Sequence, residues 1–236
     1  MALPKIKQPL FEATIPSTKK KITFRPFLVK EEKILLIAQQ SGNDGDIVRS
    51  IKQILNNCVI DSDFNVDSLA TFDLEYLFLK LRSKSVNNIA KLSYRDNNDG
   101  QVYDFELDLD TVEVTFSEKN NPNIKITDTV GMSMKYPSAT ITDNISEFEN
   151  EIDLMTFFIR NCIDTIYDEE NVYVASEYSE EELDEFLDSL DVSTFERIRE
   201  FFETMPKLYH KIDYKNSLGE DREIELTNLK DFFMWG

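Results

Sequence analysis

A single histidine, His210, two cysteines, six glycines and one tryptophan are all that 236 residues offer of those types. Each scarcity excludes something. With no Gly-x-Ser-x-Gly elbow near it, one histidine gives a Ser-His-Asp or Cys-His site little support, and His210 reads as a strand residue with a solvated ring. Cys58 and Cys162 cannot build a disulfide framework, and both sit in apolar helical contexts. The hairpin turns RDNNDG and KNSLGED, where a zinc knuckle would place Cys-x-x-Cys, carry no cysteine, so no zinc site is offered. The glycines form neither a Gly-x-x-x-x-Gly-Lys nor a Gly-x-Gly-x-x-Gly phosphate cradle. DSDFNVD at 61–67 opens like a calcium loop but has Val66 where glycine is required and Phe72 where a bidentate Glu is required, so it reads as a helix-capping loop. No apolar run reaches 18 residues, and MALPKIKQPL lacks a signal-peptide core, which predicts a soluble chain in a reducing, cytoplasmic setting. Together these gaps predict a non-enzymatic protein without cofactor or metal.

What is abundant is aromatic residues and acid. Seventeen Phe, nine Tyr and 41% hydrophobic residues are enough for a packed core. The net charge of −19 is uneven: residues 143–188 hold sixteen Asp/Glu against Arg160 alone, whereas residues 1–33 hold eight Lys/Arg against three Glu. Such acidity repels phosphate backbones and argues against nucleic-acid binding.

Local patterns predict an α+β chain of helices and β-hairpins. Residues 11–28 read as two strands around a Ser-Thr-Lys turn; helices follow from VKEEKILLIAQQ, from 47–60 and from 66–85, and KLSYRDNNDGQVYDFELDLD is a hairpin turning at Asn-Asn-Asp-Gly. A similar order then recurs. VEVTF (112–116) matches FEATI, GMSMKYP stands where KITFRPF stood, the helix DLMTFFIRNCIDTIY carries Asn161-Cys162-Ile163 where Asn57-Cys58-Val59 stood, residues 193–205 form another helix, and KIDYKNSLGE echoes KLSYRDNNDG 120 residues later. Ser179 and Glu182 open the acidic segment between them with a capping-box pattern. Two readings stay open: two similar strand-helix-hairpin units, 1–110 and 111–236, the second with an acidic helical insertion, or hairpins alike only because turns have few solutions.

The chain ends look like surfaces for partners. Lys5 and Lys7 lie in a proline-bearing arm suited to lying extended along another surface, and Phe232, Phe233, Met234 and Trp235 form an aromatic cluster that is either a lid on the protein's own core or an anchor for a partner.

Residues 2–38, ALPKIKQPLFEATIPSTKKKITFRPFLVKEEKILLIA, resemble the opening of baseplate hub proteins of T-even-type contractile-tailed bacteriophages, through the Leu-Pro, the strand pair and the Arg-Pro-Phe-x-x-Lys-Glu-Glu-Lys helix start. The later Asn-Cys helix and the closing Asp-Phe-Phe support the likeness. The resemblance implies a viral protein for assembly of the central baseplate hub, either an assembly factor absent from the finished particle or a permanent subunit in the virion tail, with other hub or tail proteins as partners and no catalytic residues. An acidic DNA mimic is the rival from another class. It would spread carboxylates over the whole surface, whereas here the first 33 residues are basic.

Overall fold

A computed structural model describes residues 6–141 and 150–232 and confirms the α+β class. Contacts divide the chain into two units: Met1–Thr115 with Lys207–Gly236, and Phe116–Pro206. The second unit is thus inserted in the sequence of the first.

In the first unit the strands β1 (Phe11–Thr14) and β2 (Lys21–Phe24) pair antiparallel. Helix α1 (Val29–Ser41) ends at Gly42, whose φ of 66° supplies the left-handed residue that closes a helix. Helix α2 (Asp44–Cys58) starts on the Asn43 side chain, which accepts from Gly45 N–H. Helix α3 (Thr71–Ser85) buries Phe72, Leu74, Leu77, Phe78, Leu79 and Leu81. A helix apolar around so much of its girth belongs in the middle of a unit. Two hairpins complete the unit, β3 (Ile89–Arg95) with β4 (Val102–Asp108), and β10 (Lys207–Lys215) with β11 (Asp221–Leu226). The short strand β5 (Glu113–Thr115) pairs with β10.

The inserted unit is an antiparallel sheet in the order β6 (Asn123–Lys125), β7 (Gly131–Met134), β8 (Ile163–Tyr167), β9 (Val172–Val174). Helix α4 (Glu151–Cys162) connects β7 to β8, and α5 (Glu180–Asp188) and α6 (Val192–Glu203) follow the sheet. Met132, Met134, Ile159, Ile163, Ile198 and Phe201 are central to its core. Two expectations need correction. VEVTF is not the counterpart of FEATI, because β5 pairs with β10 and it is β6 that pairs with β7. The helix expected through DLMTFFIRNCIDTIY stops at Cys162, because Ile163 turns extended (φ −70°, ψ 128°) and joins β7.

A local arrangement occurs twice. In each unit two neighbouring antiparallel strands precede a helix ending in Asn-Cys (α2 after α1 in the first unit, α4 in the second), and the β-branched residue after the cysteine pairs with the second strand: Val59 with Phe24, and Ile163 with Met134. Arg25 N–H donates to Cys58 C=O at 3.0 Å, and Lys135 N–H to Cys162 C=O at 2.7 Å. Helix α3 packs on β1 as α6 packs on β6. Both cysteines are fully buried, as expected.

Candidate protein-interaction surfaces

The stretch that carries the family resemblance holds structure together. The Arg25 guanidinium donates to Glu31 Oε1, to the Asn57 carbonyl and to the Pro26 carbonyl, each at 2.9 Å. Glu31 Oε2 accepts from Leu28 N–H at 2.9 Å, so the same carboxylate closes the first turn of α1. Burial alone would push the Glu31 carboxyl up, but the bonds from Arg25, Leu28 and Lys30 outweigh it and hold the group below its ordinary value.

Beside this pair lies the first surface. The arm residues Ile6 and Pro9 face Pro26, Val29, Lys30 and Val86 across a groove of about 1070 Å³. Ile6 is 82% exposed, Val29 72% and Val86 57%, and Lys7 is exposed nearby. Scattered single apolar residues on a surface need no explanation, but several along one groove do.

At the other end of the chain Phe232 is fully buried and lies in the first unit's core, so it is a core residue and offers no anchor. Lys5, Phe233, Met234 and Trp235 fall outside the described residues.

The echoed phrases meet. Tyr94 and Tyr214, the matching tyrosines, have ring centroids 6.5 Å apart, and Tyr103 and Phe105 also pack on Tyr214 at 5.0 and 5.3 Å. Their turns interlock: Asp99 accepts from Ser217 N–H and Oγ–H, and Glu220 accepts from Asn98 Nδ2 and Asn216 Nδ2. Gly100 and Gly219 close the two turns at φ 72° and 80°. Asp99 and Glu220 are engaged by these bonds, which form a clasp between the hairpins.

Charge separates the units. The inserted unit, residues 116–206, carries 22 Asp/Glu against 6 Lys/Arg, a net of −16 out of −19. Arg160 holds α4 to α5 through Glu180 at 2.7 Å and Asp184 at 2.6 Å, leaving most of the remaining carboxylates on the surface. Ser179 and Glu182 make the expected capping box at the start of α5. His210 lies in β10, half-buried, its imidazole pushed below its ordinary value by burial. Among the described residues no group of three or more His, Cys, Asp or Glu is placed to hold a metal, and no helix is long and apolar enough to cross a membrane.

The fold and these surfaces define an α+β protein whose accessible features are charge and apolar grooves. A family model described as T4 bacteriophage base plate protein matches residues 8–234, nearly the whole chain, and the chain belongs to that family. No curated protein and no solved structure matches it.

Proposed function

We propose that this base plate protein works without catalysis, as an assembly factor that binds other hub or tail proteins in the host cytoplasm while the central hub is built. The observation that carries the reading is the pairing of an exposed apolar groove on one unit with a net charge of −16 on the other. Apolar anchors supply affinity, and surface charge steers encounter. A DNA mimic fits less well, because the net charge of residues 1–33 is +5.

Quantitative mass spectrometry of purified phage against infected-cell lysate tests it. The expected result is a chain abundant in lysate and missing from particles. A stoichiometric amount in particles would make it a permanent hub subunit. The proposed contacts are Lys5, Lys7 and the tail residues Phe233, Met234 and Trp235. Deleting 233–236, which leaves buried Phe232 in place, should weaken co-purification with hub proteins more than Lys5→Ala with Lys7→Ala, with circular dichroism unchanged. Equal co-purification of the truncated chain would remove the tail from the interface.

A further inference from the structure

The inserted unit has a second groove. Strand β9 ends its sheet, and no described residue pairs with its outer edge. The ladder shows which backbone groups that edge presents. Asp168 N–H donates to Asn171 C=O, so 168 and 171 form a hydrogen-bonded pair. Antiparallel pairs alternate, which makes Tyr167–Val172 and Thr165–Val174 the non-bonded pairs. The N–H and C=O of Val172 and Val174 therefore point outward. Their side chains are exposed too, at 68% and 39%.

On the other face of this edge, Tyr173 lines a cavity of about 390 Å³ with Ile166, Tyr167, Tyr178, Leu183 and Phe186. Its wall is held in place. Tyr173 donates to Asp168 Oδ2 at 2.7 Å and stands edge-on to Tyr178 at 6.2 Å, while Asp168 Oδ1 accepts from Glu170 and Asn171 N–H. A preformed wall reduces the ordering cost of binding. Exposed carboxylates bracket the strand: Glu169 and Glu170 in the turn before it, Glu177 and Glu181 after it.

We propose that the outer edge of β9 and the tyrosine groove bind an extended segment of a basic partner protein, which adds a strand to the sheet. That segment has a short β-branched or apolar centre flanked on both sides by Lys or Arg. Backbone bonds to Val172 and Val174 provide affinity, alternate side chains enter the groove, and the flanking cations meet the glutamates at both ends. Three residues of β9 span about 10 Å, so five to seven partner residues suffice. A second copy of this chain fits less well, because two molecules of net charge −19 repel one another. This surface is built from other residues than the arm and tail contacts proposed above, so either proposal can fail alone.

The test uses the full chain and a fluorescein-labelled peptide, Lys-Lys-Val-Ile-Val-Lys-Lys, read by fluorescence anisotropy. Saturable binding that weakens with salt is expected. Val172→Pro removes an outward N–H without touching the β8–β9 ladder and should weaken binding at least tenfold, with the melting temperature near the parent's. Tyr178→Ala should also weaken it. Should a variant fail to fold, the same question is put to the unaltered protein with a peptide N-methylated at its valines, which should bind at least tenfold more weakly. Equal binding of the N-methylated peptide, or of one flanked by Glu in place of Lys, would overturn the proposal. So would sedimentation showing that the chain alone self-associates through this edge, with Val172→Pro abolishing the association.

Discussion

The Tyr214 hydroxyl donates a 2.6 Å hydrogen bond to Asp96 Oδ2, and Asp96 is fully buried although it opens a hairpin turn. The residue matching Asp96 in the second hairpin is Asn216, also buried, so both turns place a short polar side chain under the clasp. Asn98 N–H at 2.7 Å and Arg222 Nε at 3.3 Å complete the shell around Asp96. The Tyr214 bond, followed by that of Asn98, holds the Asp96 carboxyl below its ordinary value. Tyr214→Phe should lower the melting temperature by a few degrees at pH 7, because it leaves a buried oxygen one donor short. A depressed carboxylate contributes stability that is present above its unfolded value and lost as pH falls through its folded one. The gap between Tyr214→Phe and the parent should therefore close on acidification below about pH 4. Thermal denaturation from pH 2 to 7 measures it.

Glu31 is fully buried against Arg25, and removing the guanidinium leaves that buried carboxylate with the Lys30 ammonium and the Leu28 N–H. Arg25→Ala should cost about 3 kcal/mol in urea denaturation. Arg25→Lys should recover only part of that, because a lysine cannot reach Glu31 and two carbonyls together.

Among the described residues Glu75 on α3 has one close hydrogen-bond partner, Leu229 N–H at 3.5 Å. Burial pushes its carboxyl up to about 7 from 4.5, and Asp231 adds to the rise. A raised carboxyl contributes stability that is full below the unfolded value and lost as pH rises through the folded one. Stability from this group should therefore fall between about pH 4.5 and 7, by up to about 3 kcal/mol. Glu75→Gln should flatten that slope and exceed the parent in denaturation at pH 8.

Burial pushes the Cys58 thiol up to about 11 and the Cys162 thiol up to about 12. Neither holds a thiolate at neutral pH, and neither is exposed. Iodoacetamide at pH 8 should leave the folded chain unlabelled for hours and modify both cysteines in urea, as read by intact mass. Rapid labelling of the folded chain at either position would contradict the packing described.

Phe232→Ala should destabilise the chain by about 3 kcal/mol or more, since the ring is fully buried. Deletion of residues 233–236 alone should leave the urea midpoint near the parent's.

Patterns with a short period were legible in the sequence. The apolar spacing of α2, the Gly42 stop, the Ser179–Glu182 box and both hairpin turns with Gly100 and Gly219 follow from residues within a few positions of one another, and local backbone preference decides them; on α1 the expected stripe fails at Ile37, which is exposed. The strands β6, β8 and β9 were not legible. They are three to five residues long, and Ile163 and Ile166 continue the apolar spacing of α4, so only the open edge of β7 makes β8 a strand. The groove beside β9 was missed with them, because its walls come from β8, β9 and α5 and those residues face one cavity only once the two strands have been placed beside the helix.

The sequence by itself determined the acidity of the chain, its uneven charge and the absence of catalytic and phosphate-cradle motifs, because these are properties of composition and short spacing. It also determined that a tyrosine hairpin is written twice. Only the tertiary structure decided that the two hairpins clasp each other through Asp96, Tyr214 and Asp99, that Arg25 and Glu31 are buried partners, and that Phe232 is core. Those outcomes depend on which distant groups share desolvated space, and a hydrogen bond between residues 118 positions apart leaves no mark on its own neighbourhood in the chain.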